Sequence, residues 1–240
     1  MKNIFITLTL FFSIWANSED SKTVPRNIVF VGVDVSGSFL RSKHFDNSLK
    51  FLAKYIYLHL NGKDDLEVPH SLFVGPLGGA KANEAKTFYP IETFRGSDEG
   101  AIYNELQKIF PKKKENPFTD YNAFFKQVVS YVQNRKLVLK PLNIIMISDG
   151  APDLPHLKGE KAYGAIDLSE LEMLSRNVTI RLLYTNAVIG DSWQNKVKRR
   201  RIKIWTQDAV VMEKWKDPKN NLTDWIKSNV DFYPPAKIVN

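Results

Sequence analysis

Residues 27–39 read NIVFVGVDVSGSF, and this stretch joins an unbroken apolar run to a short polar segment. The run 27–33 is rich in β-branched residues, which is typical of a strand buried on both faces of a parallel sheet. Directly after it, Asp34, Ser36 and Ser38 stand two residues apart. A carboxylate and two hydroxyls at the end of a buried strand are costly unless they have partners. The stretch therefore predicts a central strand with a polar site at its carboxyl end.

Outward from this strand the pattern alternates between helical and extended segments. A second strongly apolar run, LNIIMIS at 142–148, predicts another buried strand. Before this run, the sequence predicts a helix at 45–60, strands at 71–74 and 86–94 around a Gly/Pro-rich turn at 75–79, a helix at 97–110 and a helix capped by Thr119. After it, the sequence predicts a short helix with a capping box formed by Asp167 and Glu170, a strand at 178–184 and a basic helix near 192–201. A strand-like stretch at 202–212 and a final helix marked by residues 222–230 complete the predictions.

Strands that alternate with helices predict an α/β fold, a doubly wound and mostly parallel sheet flanked by helices. The chain has 240 residues, of which 43% are hydrophobic and 25% charged, as in an ordinary globular protein. There is no internal repeat and no long linker. We therefore expect a single domain over residues 19–240, with its core at about 27–228.

The N-terminal residues read as a secretory signal. Lys2 precedes an uncharged run at 4–15 that is too short for a membrane-spanning helix, which needs about 20 residues. Ala16 and Ser18 are small residues placed for cleavage, so residues 1–18 predict a signal peptide and an exported protein, periplasmic or secreted. An uncleaved membrane anchor is the alternative.

Composition excludes several classes of protein. The chain has no cysteine, which excludes disulfides, thiol enzymes and zinc–thiolate sites, and its four histidines lack the paired spacing of zinc ligands. The net charge of +8 favours acidic partners, including an anionic surface polymer.

Polar residues from three loops are expected to meet at one edge of the sheet. Open α/β sheets bind ligands at the carboxyl ends of their strands, where Asp34, Ser36 and Ser38 lie. Asp149 follows the second apolar strand, and Thr119 stands just before a predicted helix. Two carboxylates and three hydroxyls form an all-oxygen set, which hard divalent cations prefer. The sequence thus predicts a site for Mg²⁺, or for Mn²⁺ or Ca²⁺.

This set resembles the metal-ion-dependent adhesion site (MIDAS) of von Willebrand factor type A (VWA) domains of the bacterial exported type. The pattern Asp-x-Ser-x-Ser, then Thr, then Asp after a later buried strand is matched in chain order, and the resemblance covers residues 27–228. It implies a Rossmann-like fold and a non-enzymatic, adhesion-type module whose protein partner completes the metal coordination with an Asp or Glu. It also implies direct or near-direct binding by Ser36, Ser38 and Thr119, with Asp34 and Asp149 acting through water.

One departure from the family concerns the loop before Thr119. It reads Asn116-Pro117-Phe118, where many family members carry glycines, and this leaves the shape of the loop open.

Other functions have weaker support. Ser36, Asp149 and His156 run in the order of an α/β-hydrolase triad, but the glycines of a nucleophile elbow are missing two residues before and after Ser36. An aspartyl phosphotransfer site would want a second acid at position 36, and no phosphate-binding glycine motif occurs. A metal-independent scaffold or accessory subunit of an envelope or secreted complex remains the main alternative.

The basic run at 196–201 has two possible interpretations. It could bind nucleic acid, or it could be a solvated helix face with Trp193 and Val197 turned inward. The second is favoured, so no nucleic-acid partner is expected, and contact with a membrane is expected only through the N-terminal segment if it is uncleaved.

Overall fold

The computed structural model describes residues 26–79, 84, 86–112, 116–154 and 156–231. The predicted signal peptide lies outside these ranges. Within them, no helix has both the length and the apolar character that a membrane span requires.

A single six-stranded sheet organises the described chain. Its strands are arranged in the order β3-β2-β1-β4-β5-β6, and all neighbours are parallel except β3, which runs antiparallel to β2. This is the doubly wound, mostly parallel sheet that the sequence predicts. The strands are β1 Ile28–Asp34, β2 Ser71–Leu77, β3 Tyr89–Pro90, β4 Leu142–Ile147, β5 Val178–Thr185 and β6 Lys203–Asp208.

Helices cover both faces of the sheet. The α-helices are α1 Gly37–Leu40, α2 Phe45–Leu60, α3 Glu99–Ile109, α4 Tyr121–Asn134, α5 Glu160–Gly164, α6 Ser169–Leu174, α7 Ala187–Asn195, α8 Ala209–Met212 and α9 Leu222–Ile226. Short 3-10 segments occupy Lys63–Asp65, Ile91–Thr93 and Glu213–Lys216, and a π-helical turn occupies Lys227–Asp231.

The two faces of β1 supply two separate cores. Val31 and its alternate neighbours pack with α2, α3, α8 and α9, whereas Phe30 and Ile28 pack with α4, α6 and α7. Successive side chains of a strand point to opposite faces, so an unbroken apolar run is what a strand covered on both sides requires. The continuous run quoted above therefore places β1 at the centre of the sheet.

Several predicted elements differ in extent. β2 continues through residues 75–77, which the sequence predicts as a turn, and the strand expected at 86–94 shrinks to Tyr89–Pro90 followed by a 3-10 turn. Pro90 has no N–H to donate to a sheet ladder, which limits a strand at that position. The stretch 202–212 divides into β6 and α8.

Three predicted helix features are wrong. Thr119 does not cap α4, because its backbone is extended and pairs with Asp153; Asp120 caps the helix by accepting from the Ala123 N–H at 3.0 Å. The Asp167–Glu170 capping box does not form, since Asp167 instead accepts from the Ser169 N–H. The basic helix ends at Asn195, so the cationic run follows it in a turn.

The order of the strands positions the site. From β1 the chain crosses through α2 to β2 on one side, whereas β4 pairs with β1 on the other side. The carboxyl ends of β1 and β4 are therefore neighbours at the point where the winding reverses. Open α/β sheets have their binding crevice at this switch point.

Candidate metal centre

Asp34 forms the buried base of the site. It is the last residue of β1 and is fully buried; its carboxylate accepts from the Ser36 N–H at 2.8 Å and from the Ser148 hydroxyl at 2.6 Å. Burial raises the pKa of Asp34 to about 6, although the hydrogen bonds from Ser148 and Ser36 lower it, and the charge of Asp149 raises it further. With both oxygens engaged, Asp34 acts by orienting its neighbours.

The two serines and Asp149 make a continuous chain of oxygens above Asp34. The hydroxyls of Ser36 and Ser38 lie 3.2 Å apart, and the Ser38 hydroxyl donates to Asp149 Oδ2 at 3.1 Å. Ser36 is buried where α1 begins, and its side chain makes no capping bond to the helix. Ser38 is exposed and Asp149 is partly exposed. The structure thus brings four of the five predicted residues together at one edge, with an open side toward solvent.

Backbone geometry holds Asp149 at that edge. Its Oδ1 accepts from the Ala151 N–H at 3.0 Å, which closes a tight turn after β4. Gly150 has a φ of +85°, and a Cβ there would lie 2.7 Å from Ile189. Its carbonyl accepts from the indole N–H of Trp193, which is fully buried, at 2.8 Å. A glycine is therefore required next to Asp149 for both conformation and space.

Thr119 lies in the adjacent loop, but it is less closely connected. Its backbone pairs with Asp153, through N···O distances of 3.0 and 3.3 Å, and the residue is buried. Within the described chain, no side-chain hydrogen bond joins Thr119 to the other four residues. Asn116 ties the same loop to the site, since its N–H donates to the Val35 carbonyl at 3.0 Å.

The loop at residues 116–118 is accommodated by two glycines from another part of the chain. Gly78 and Gly79 follow β2, and Gly79 exchanges backbone hydrogen bonds with Phe118 at 3.1 and 3.4 Å. Gly78 has a φ of +93°, and a Cβ there would lie 2.5 Å from the Phe118 carbonyl oxygen. Gly78 and Gly79 therefore allow the two backbone segments to approach each other closely, although the loop before Thr119 has no glycine of its own.

Ser148 is a central residue of the site, although it is not one of the five predicted residues. Its hydroxyl donates to Asp34, accepts from the Gly150 N–H at 2.9 Å, and lies 2.9 Å from the hydroxyl of Tyr121. Both Ser148 and Tyr121 are buried, and burial together with the charge of Asp34 raises the pKa of Tyr121 well above its usual value. The available signal was a lone hydroxyl that closes an apolar strand just before Asp149.

The donor set is compatible with a hard divalent cation. Asp34 is a fully buried carboxylate with no salt bridge among the residues that the structure describes. Nor do these residues contain a group of three His, Cys, Asp or Glu side chains that would form a heavily charged metal cage. A cation held mainly by hydroxyls, with two carboxylates nearby, would offset the charge of Asp34 and keep room for outside ligands.

His156 is the residue that the hydrolase alternative would use as its base. His156 is exposed, and across the described residues it makes no hydrogen bond to Ser36 or Asp149.

Comparisons with known proteins concern the fold. No protein-family model and no curated protein sequence matches the chain. Among solved structures, the human COPII-coat protein Sec24c aligns with a TM-score of 0.52 at 8% identity, over 85% of this chain and 32% of that chain. Proximal thread matrix protein 1 (PTMP1) from the mussel byssus aligns with a TM-score of 0.48 at 10% identity, over 80% and 46%. The SpRpn10 VWA domain aligns with a TM-score of 0.40 at 10% identity, over 84% and 94%.

Such low identities describe a shared fold and no more. The chain spans less than half of PTMP1 and about a third of Sec24c. Another PTMP1 structure has a zinc-occupied MIDAS motif. The doubly wound, mostly parallel sheet seen here is the architecture that the sequence resemblance to VWA domains implies.

Proposed function

We propose that the chain is an exported binding module that recognises a protein partner through a divalent cation at the edge formed by β1 and β4. The observation that carries the proposal is the chain of oxygens from Ser36 through Ser38 to Asp149, above the buried carboxylate of Asp34. In this proposal the hydroxyls of Ser36, Ser38 and Thr119 hold the cation, and the two aspartates hold its waters. Mg²⁺ is the first candidate, with Mn²⁺ and Ca²⁺ as alternatives.

The choice of ligands suits an acidic partner. Neutral hydroxyl oxygens leave much of the charge of a bound cation uncompensated, and the exposed side at Ser38 and Asp149 is open to solvent. A carboxylate from a partner would gain a charge-assisted contact there. A cage of protein carboxylates would hold the cation more tightly but would repel that partner.

Calorimetric titration with Mn²⁺ tests the metal site. Wild type should bind one equivalent, and Ser38→Ala should weaken binding by about 10- to 100-fold, the usual cost of disturbing a metal site. Ser130→Ala, an exposed serine on α4, is the matched control and should bind as wild type does. If wild type and Ser38→Ala take up Mn²⁺ equally weakly, the proposal fails and the metal-independent scaffold is favoured.

A second experiment tests the partner. A partner captured from envelope extract in Mg²⁺ should be released by EDTA, and Ser38→Ala should not capture it. Replacing one Asp or Glu of that partner by its amide should abolish capture. Retention in EDTA would contradict metal-dependent recognition while leaving the Mn²⁺ result intact. Cell fractionation tests export, since a protein confined to the cytoplasm would contradict it.

A further inference from the structure

A second chemically distinct surface lies at the opposite edge of the sheet. The loops that enter β4, β5 and β6 are residues 135–141, 175–177 and 196–202, which read RKLVLKP, SRN and KVKRRRI. These three loops contain nine Lys and Arg residues and no Asp or Glu. We refer to them together as the basic edge. Because parallel strands all begin at one edge, the three loops share a side of the molecule, away from the metal centre.

Hydrogen bonds join the three loops into one surface. The Leu139 N–H donates to the Leu174 carbonyl at 2.8 Å, which links the first loop to the end of α6. Glu172, also on α6, accepts from the N–H groups of Arg200 and Arg201 at 2.6 and 2.9 Å. The guanidinium of Arg201 donates to the Glu172 carbonyl at 2.7 Å. A second acid, Glu160, lies 3.3 Å from the Lys196 ammonium. Both acids are therefore already engaged, and most of the positive charge of the basic edge stays uncompensated.

Three apolar side chains project from the same surface. Leu139 is 81% exposed, Met173, at the adjoining end of α6, is 75% exposed, and Val138 is 43% exposed. Leu139 has a φ of +69°, a conformation that a leucine rarely adopts. Exposed apolar residues that stand together usually mark an interaction site. Val138 and Leu139 stand between Lys136 and Lys140 in the chain, and Met173 comes three residues before Arg176. The partner should therefore offer both apolar volume and negative charge.

We infer that the basic edge docks on an anionic lipid membrane. Lys and Arg residues bind the phosphate headgroups of such a surface, while exposed apolar residues enter the boundary with the acyl chains. A dissolved polyanion such as a nucleic acid or an acidic polysaccharide would use the cations but would have no use for Leu139 or Met173. This inference goes beyond the proposed function and does not depend on the metal site. It differs from the expectation that the cationic run at 196–201 is only a solvated face, although Trp193 and Val197 are buried as that expectation requires.

The geometry makes the two surfaces compatible. β4 has six residues, which separates its two ends by about 20 Å at roughly 3.3 Å per residue. A protein docked through the basic edge would hold Asp149, just beyond β4, on the side away from the lipid. The metal centre would then face an approaching partner.

Vesicle sedimentation with the full chain tests the charges. The readout is the ratio of partitioning into phosphatidylcholine vesicles with and without phosphatidylglycerol, so any contribution from the N-terminal apolar segment cancels. The triple variant Lys136→Gln/Lys198→Gln/Arg200→Gln should lower this ratio by about 100-fold, since each cation near an anionic surface contributes roughly fivefold. The control Lys43→Gln/Lys158→Gln/Lys161→Gln makes the same charge change outside the basic edge and should leave the ratio unchanged. A wild-type ratio near one, or an equal loss in both triple variants, would overturn the inference.

Substitution of Leu139 separates a membrane from a dissolved polyanion. Leu139→Asn keeps the backbone conformation, which asparagine tolerates, and should lower partitioning into anionic vesicles several-fold. Its binding to dextran sulfate should equal that of wild type. Two results together would contradict the inference: Leu139→Asn partitions as wild type does, and the charge-removing variant binds both vesicles and dextran sulfate less tightly. The surface would then bind polyanions in general, and the membrane inference would be wrong.

Discussion

Replacing Asp34 with asparagine should stabilise the metal-free protein. The Asp34 carboxylate is fully buried at the end of β1, and its raised pKa means that folding disfavours the ionised form. Asparagine has nearly the same shape and carries no charge. Its oxygen can still accept from the Ser36 N–H, and its amide can donate to the Ser148 hydroxyl in place of the bond that Asp34 accepts.

The pKa sets the size of the effect and its pH dependence. Burial raises the pKa of Asp34 from 3.8 to about 6, so the ionised form costs roughly 3 kcal/mol of folding free energy in the absence of a cation. Because the folded pKa is the higher one, this group's contribution is favourable below pH 3.8 and is lost as the pH rises to about 6. At neutral pH, Asp34→Asn should therefore raise the stability by about 1 to 3 kcal/mol, after imperfect hydrogen bonding is allowed for.

Urea unfolding in EDTA measures this directly. The variant should have the higher midpoint at neutral pH, and the difference should shrink as the pH falls toward the unfolded pKa of 3.8. Saturating Mn²⁺ should reverse the order, since a cation present at 1,000 times its dissociation constant adds about 4.1 kcal/mol to wild type alone. Asp65→Asn, at an exposed position, is the control and should change little. A variant less stable than wild type in EDTA at neutral pH would refute the reasoning, because the charge would then be stabilising.

Three further predictions concern single residues. Gly150→Ala should destabilise the protein by about 1 to 3 kcal/mol in urea unfolding, since φ is +85° and the new Cβ would lie 2.7 Å from a side chain of α7. The control Gly164→Ala should not destabilise the protein, because a Cβ there would have no atom within 4 Å. Burial lowers the pKa of His59, but Asp231, with Oδ2 at 3.2 Å from Nε2, and Glu67 together raise it more, so the pKa lies above 6.5. Stability measured against pH should therefore decline as the pH rises beyond 6.5, and His59→Gln should abolish that decline. Thr119→Val should weaken Mn²⁺ binding by about tenfold in calorimetry with unchanged unfolding; unchanged binding would exclude its hydroxyl from the site.

The central strands of the fold could be read from the sequence, but its edges could not. The unbroken apolar runs of β1 and β4 have only one stable location, a sheet covered on both faces. The helix predicted at 45–60 also matches α2, because a long apolar stripe with helical spacing has no good alternative. In contrast, β3 has two residues, and its extent depends on pairing with β2 rather than on its own pattern.

The site was predictable as a set of loops, but not as a set of contacts. Asp34, Ser36, Ser38 and Asp149 follow the two most apolar strands, and the carboxyl ends of parallel strands lie at one edge of the sheet, so their convergence could be expected. The structure adds that these two strands pair directly. The role of Ser148 depends on which way its side chain points at the end of β4. The position of Thr119 depends on the backbone pairing with Asp153, which is distant in the sequence. Such tertiary contacts leave no periodic signal in the chain.

The buried carboxylate links the stability of the protein to its proposed function. An ionised Asp34 opposes folding in the metal-free state, whereas asparagine would fit the same space without the charge. The retained charge becomes favourable only when a cation lies nearby, as the proposed function requires. Ser36 and Ser148 both donate hydrogen bonds to the Asp34 carboxylate. The charge of Asp34 therefore affects the loop after β1 and the loop after β4 together. A cation would therefore stabilise both loops at once, and the surface offered to a partner would be most ordered when the cation that recognises the partner is bound.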